Sequence, residues 1–201
     1  MNTTRIDPRA RILEAAMRRF AEQGFRNSSL AEVAADVGIT RSAVLYHFAS
    51  KDLLRQAVLE GVIGRWMGRL PDLIRTVPTG AGRFEAISWE VVHFFTEDRN
   101  RARLVVREML DRPEEMRTAL SEQLRPFMTL VTSALRKGQE EGVIRTDIDP
   151  ENAVMHATHL LVGGIASYDV LGVFSGSGEE AFERYVTELV RFARVALFVE
   201  P

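Results

Sequence analysis

The stretch GITRSAVLYHFASKDLL, Gly38 to Leu54, gathers a glycine, an arginine, several hydroxyls, Tyr46, His47 and one of the two lysines in the chain. These side-chain types suit contact with double-stranded DNA. A guanidinium can form two parallel hydrogen bonds to the guanine edge, a hydroxyl can reach a base edge or a phosphate oxygen, and an apolar side chain can meet the thymine methyl. Those roles are open to Arg41, to Thr40 and Ser42, and to Leu45 respectively. Lys51 follows Ser50 at the start of a further helix, where an ammonium and free backbone N–H groups together hold a phosphate.

Other chemistries are poorly served. With no cysteine, the chain has no disulfide, thiolate ligand or thiol nucleophile, which is the composition a reducing cytoplasm permits. There is no G-x-S-x-G elbow, Gly-rich phosphate loop or H-E-x-x-H. His156 and His159 share a helix face, but no nearby Glu/His pair completes a ligand set, and Glu114 and Glu115 after Pro113 read as charges answering a helix dipole. No catalytic residue, metal or cofactor is therefore expected. No run approaches 18 uninterrupted apolar residues and MNTTRIDPRAR carries no apolar leader core, so we expect a cytoplasmic protein without a membrane partner. Net charge is −2, yet residues 1–55 hold nine Lys/Arg against six Asp/Glu and the remainder 17 against 22. A basic front on an acidic body fits a module facing a polyanion.

Helical periodicity explains how the opening residues would be placed. Asp7-Pro8 begins a helix over 8–23, with Ile12, Leu13, Ala16 and Phe20 on its apolar face. Ser29 and Glu32 have the spacing of a capping box for a short second helix ending near Val37, and Gly38 supplies the sharp turn that follows. Thr40 caps a third helix in which Val44 and Phe48, with Ile39 before them, face inward. Ser42, Ala43, Leu45 and Tyr46 then point outward, with Arg41 at the flank. Two short helices joined by Gly-apolar, the second with a mixed outer face, have the geometry of a helix-turn-helix whose second helix enters the major groove.

The segments ILEAAMRRFAEQGF, SSLAEVAADVGIT and AVLYHFASKDLL, spanning Asp7 to Leu54, resemble the DNA-binding domain of the tetracycline-repressor (TetR) family of bacterial transcriptional regulators. The resemblance implies base-reading positions at Arg41, Ser42, Ala43 and Leu45 with Tyr46 beside them, and phosphate-facing positions at His47 and Lys51. Ser29 and Thr40, at helix starts, complete the expected phosphate set. Many family members carry a tyrosine where this chain has Leu45, so operator preference there does not transfer. His47 reads equally well as a packed helix-end histidine.

Beyond residue 50 the chain reads as a second, helical domain, 51–201, joined to a helix-turn-helix domain, 1–50, in an all-α fold. Its helices are expected over about 50–70, closed by Pro71, then 81–97, 99–110, 113–140 with a break or kink at Pro126, 151–171 and 178–199. The Pro/Gly-containing connection TVPTGAG follows the first of these. Trp66, Phe84, Trp89, His93, Phe94, Met109, Phe127, Met128 and His159 supply aromatic, thioether and imidazole groups for a pocket, and the resemblance implies an inducer cavity here. In the final helices, Leu189 and Ala196 belong to one apolar stripe and Tyr185 and Phe192 to another, while Gly163-Gly164 permits close approach. These six residues are the expected homodimer contacts, in a twofold four-helix bundle that the resemblance also implies. The reading is a ligand-responsive repressor that binds a pseudo-palindromic operator as a homodimer and is released by a largely apolar small molecule. The alternative is a helical small-molecule-binding dimer without sequence-specific DNA recognition.

Overall fold

The computed structural model describes residues 7–76 and 81–199. Among the described residues ten α-helices follow one another: α1 (Pro8–Gln23), α2 (Leu30–Val37), α3 (Arg41–His47), α4 (Lys51–Thr76), α5 (Ala81–Thr96), α6 (Arg99–Asp111), α7 (Pro113–Gln123), α8 (Arg125–Glu140), α9 (Pro150–Leu171) and α10 (Glu179–Leu197). Among the described residues the only extended pairing is a single antiparallel bridge between Ile144 and Phe198.

Local chemistry sets the ends of the first three helices. The Asp7 carboxylate accepts the Arg9 N–H at 3.0 Å, with Pro8 in the first turn. Ser29 and Glu32 form the reciprocal capping box: Ser29 Oγ accepts the Glu32 N–H at 3.2 Å, and Glu32 Oε2 accepts the Ser29 N–H at 2.7 Å. Gly38 sits at φ 73°, ψ 35°. That left-handed conformation, which a Cβ disfavours, turns the Gly38 and Ile39 N–H groups back onto the carbonyls of Ala35 and Ala34. Ile12, Phe20, Val33 and Val44 close the small core, and Arg19 ties α1 to α2 through Asp36.

α4 belongs to two cores. Leu54 and Val58 are buried where α4 packs on α1, whereas Val62 and Trp66 are buried farther along, among the helices of the body. α6 packs on both α1 and α9, so the front three helices rest on α4 and α6 together. Helix α9 lies against α5, α6, α8 and α10. The segment Pro150–Phe174 is long and apolar enough to cross a membrane by length and composition, but its four helical neighbours give it the position of a central packing helix.

Two boundaries differ from expectation. Helix α4 runs through Pro71 to Thr76 instead of closing at Leu70. Proline removes one intrahelical hydrogen bond, which an element already several turns long can absorb. The expected 113–140 helix is two helices, because Pro126 occupies the first turn of α8 and separates it from α7 at Leu124. The TVPTGAG connection lies partly outside the described residues.

Candidate functional site

Helix α3 presents two chemically different faces. Val44 is fully buried and Phe48, just past the helix end, is 5 % exposed, while Arg41 and Ser42 are exposed and Tyr46 is 87 % exposed. Thr40 Oγ1 accepts the Ala43 N–H at 3.1 Å and so keeps its own O–H free to donate. The expected outward orientation needs one correction. Leu45 is half-buried and packs against the buried apolar core, and Ala43 is also half-buried, because a seven-residue helix lying against α2 turns part of its circumference inward. Arg41, Ser42 and Tyr46 form the open part of the face.

Three of the phosphate candidates, Ser29, Thr40 and Lys51, stand at the starts of α2, α3 and α4, and the fourth, His47, ends α3. Ser29 is exposed at the head of α2, and its partner Glu32 has its carboxyl held below the usual range by hydrogen bonds from the Ser29 hydroxyl and N–H. Ser50 Oγ accepts the Leu53 N–H at 3.1 Å and caps α4 immediately before Lys51. Lys51 Nζ stands 4.2 Å above the Phe25 ring, which restrains the ammonium without neutralising it. His47 is half-buried and meets Tyr46 edge-on at 5.3 Å.

Behind this module lies a charged junction. The Phe25 ring also carries Arg112 at 4.6 Å and Arg55 at 5.6 Å, so cations from α4 and from the α6–α7 joint share one aromatic ring with Lys51. Arg55 and Glu108 are both buried and paired, and Arg55 also pairs with Glu115. Burial would raise Glu115, but hydrogen bonds from Arg112 and Arg55 outweigh it and hold the carboxyl below its ordinary range. This network joins α4, α6 and α7 directly beneath the recognition module.

Two apolar cavities in the body contain residues of the expected pocket set. The larger, about 630 Å³, lies among α4, α6, α7, α8 and α9 and contains Trp66, Met109, Met128 and His159 from the expected set. The smaller, about 350 Å³, contains Trp66, Phe84 and Phe127. Trp66 and Thr158 border both. Trp89, His93 and Phe94 line neither cavity, contrary to expectation. Phe94 is buried in the core with the guanidinium groups of Arg69 and Arg101 over its ring, while Trp89 and the exposed His93 meet with tilted rings 5.9 Å apart. Aromatic density along α5 marks its packing face as much as a pocket. The cavity walls formed by Val62, Ile63, Val105, Met116 and Leu120 escaped the sequence reading, since apolar residues at helical spacing look the same whether they meet a neighbour or a void.

The expected dimer residues also divide. Gly164 serves packing within the subunit: a Cβ there would come within 2.7 Å of Leu189 Cδ1, and Tyr185 donates its O–H to the Gly164 carbonyl at 3.4 Å. Leu189 is buried in that same α9–α10 contact and Tyr185 is half-buried against Tyr168, its phenol pKa raised by burial. A Cβ added at Gly163 would meet only His159 Nε2, at 3.9 Å, and Gly163 borders the larger cavity. Phe192, 72 % exposed, and Ala196 do remain on the open side of α10, joined by Val195 and Val199. Val170, Val173 and Phe174, at the end of α9 and in the 3₁₀ turn Gly172–Phe174, are exposed as well.

Known proteins resemble the chain in both halves. Residues 12–58 match the family model for bacterial regulatory proteins, tetR family, and residues 78–165 match a tetracyclin repressor-like C-terminal domain. The HTH-type transcriptional repressor KstR2 of Rhodococcus jostii is 26 % identical over 150 residues, covering 72 % of each chain. The fatty acid metabolism regulator protein of Bacillus subtilis is 20 % identical over 138 residues, covering 69 % of this chain and 71 % of that one. The solved structure of the ketosteroid transcriptional regulator KstR2 of Mycobacterium tuberculosis superposes with a TM-score of 0.77 at 18 % identity, over 100 % of this chain and 98 % of the other. With both its helix-turn-helix and its helical body accounted for, the chain belongs to the tetR family of bacterial regulatory proteins.

Proposed function

We propose that this regulator is a cytoplasmic homodimeric repressor that reads a pseudo-palindromic operator and releases it when a largely apolar small molecule enters the body. The division of labour follows residues 1–50 for DNA and 51–201 for ligand and dimer, with no catalytic role. The observation that carries the DNA reading is α3 itself, with Val44 and Phe48 buried beneath exposed Arg41, Ser42 and Tyr46. Arg41 reads a base pair, Ala43 and Leu45 add apolar contact at the edge of the face, and Ser29, Thr40, His47 and Lys51 grip phosphates.

Release follows from the spacing of two recognition helices on successive major-groove faces. The larger cavity has the size and apolar lining of a small-molecule site, and its walls include Met109 and Met116, which flank the Arg112 joint. An occupant that displaces α6 and α7 would disturb the Arg55–Glu108–Glu115 network and with it the seating of α4 and Phe25. Ligand then favours a different spacing of the two modules, and a shift in occupancy from 99:1 to 1:99 requires about 5.5 kcal/mol of discrimination between the two states.

Fluorescence anisotropy tests the DNA reading, comparing the DNA immediately upstream of the chain's own gene with a scrambled fragment across several salt concentrations. A preference of about 10³ or more for the native fragment is expected. Equal, salt-labile binding to both, persisting after selection from random DNA, would instead leave a ligand-binding dimer without sequence recognition.

A further inference from the structure

The larger cavity carries a charge pattern that its apolar walls do not explain. Its polar members are Ser121, Arg125, His156, Thr158 and His159, and no Asp or Glu lines it. This occurs in a body where Asp and Glu outnumber Lys and Arg by 22 to 17. Arg125 is distinctive among its neighbours. Arg112 and Arg117 before it, and Arg136 and Arg145 after it, each hold a carboxylate, whereas no described carboxylate lies within ion-pair distance of Arg125. An exposed arginine at the edge of an apolar cavity, with two imidazoles nearby and no acidic group in the lining, matches a ligand whose buried part is apolar and whose outer end is negative.

We propose that the effector is an amphipathic anion, its apolar body held among α4, α6, α7 and α9 and its carboxylate or phosphate head facing Arg125, with His156 and His159 on the same rim. This rests on the reading of the cavity as the effector site and names the chemical class of the occupant. Carboxylate and phosphate heads share the recognition chemistry, so the test separates them. A neutral or cationic amphiphile would leave Arg125 unanswered or repelled.

The probes are dodecanoate, dodecyl phosphate, dodecanol and dodecyltrimethylammonium, each below its micelle threshold and titrated against the full chain while tryptophan fluorescence is followed, since Trp66 borders the cavity. Both anions should bind at least about tenfold more tightly than dodecanol, with the ammonium weakest, and the tighter anion identifies the head group. Arg125→Gln should erase that preference while leaving dodecanol affinity within about twofold, and Arg125 is exposed, so the variant should fold as the parent does. Equal binding of dodecanol and the anions, preference for the ammonium, binding of none of the four, or an anion preference unchanged in Arg125→Gln would each overturn the proposal. Operator binding measured without probe on the same preparation separates these outcomes from failure of the DNA reading.

Discussion

At the scale of single residues, Arg41 and Lys51 are both cationic but differ in what surrounds them. Arg41 is exposed on the open face of α3, where its planar guanidinium can meet one base pair. Lys51 stands over Phe25 at the head of α4. Arg41→Ala should therefore relax specificity at one position of each half-site, by about 1–3 kcal/mol per contact, in competition assays against single-base operator variants. Lys51→Ala should weaken all sequences alike and flatten the salt dependence by about one charge; a sequence-selective loss would show the roles to be misassigned. The paired glycines give a second contrast. Gly164→Ala drives a methyl group into Leu189 and the Tyr185 hydroxyl, so it should lower stability by about 1–3 kcal/mol in denaturant titration. Gly163→Ala meets nothing closer than 3.9 Å and should be neutral or stabilising by up to about 1 kcal/mol, from helix propensity alone. Equal losses from both would remove the close α9–α10 approach as the explanation.

At the scale of elements, the joint between α4, α6 and α7 depends on an ion pair with little access to water. Arg55 and Glu108 have side chains only 7 % and 6 % exposed, and among the described residues Glu108 has no other cation partner while Arg55 keeps Glu115, so it is removal of the Arg55 charge that strands a buried carboxylate. Arg55→Met should destabilise the fold by about 3–5 kcal/mol, the range for a broken buried pair, read as a lowered denaturant midpoint. Replacing both members with well-packed apolar residues should recover much of that loss while weakening the effect of ligand on operator affinity. If the doubly apolar variant kept full ligand response, the network would be a structural prop and not the coupling element. The capping box offers a smaller test at the other end of the recognition module. Ser29→Ala should cost about 1 kcal/mol by freeing one N–H at the start of α2.

At the scale of the whole molecule, acid should loosen the fold through its carboxylates. Glu97 lies below its ordinary range because Arg101 and Arg69 donate hydrogen bonds to it, and Asp36 lies below because Arg19 does. A carboxyl depressed in the folded state adds stability that is complete above its unfolded pKa, about 4, and disappears as pH falls through the lower folded value. Thermal midpoints should therefore stay level above about pH 5 and decline below it, with Glu97→Gln blunting the decline; an onset near pH 6.5 would point to histidine instead. Assembly belongs to this scale too. The surface of α10 around Phe192, Val195 and Val199 leaves large apolar groups in solvent, so Phe192→Asp should shift sedimentation from dimer toward monomer and reduce operator affinity together.

The helix-turn-helix was legible in the sequence because its determinants are local. Capping by Asp7, Ser29 and Thr40, the left-handed Gly38, and the 3.6-residue spacing of Ile12, Phe20, Val33 and Val44 act within one or two turns, and each has the predicted place in the structure. Pro126 likewise opens α8 and separates it from α7, whereas Pro71 lies inside α4, so a proline in the sequence marks a candidate break that the surrounding helix can override. What depends on distant neighbours was not legible. Phe94 and Met109 are both apolar residues on helices, yet one is sealed in the core and the other borders a cavity. Gly163 and Gly164 are adjacent, yet only the second meets another helix closely. Sequence spacing fixes which face of a helix a side chain occupies, whereas the identity of whatever lies opposite that face is set by helices many residues away, and only their packing decided it.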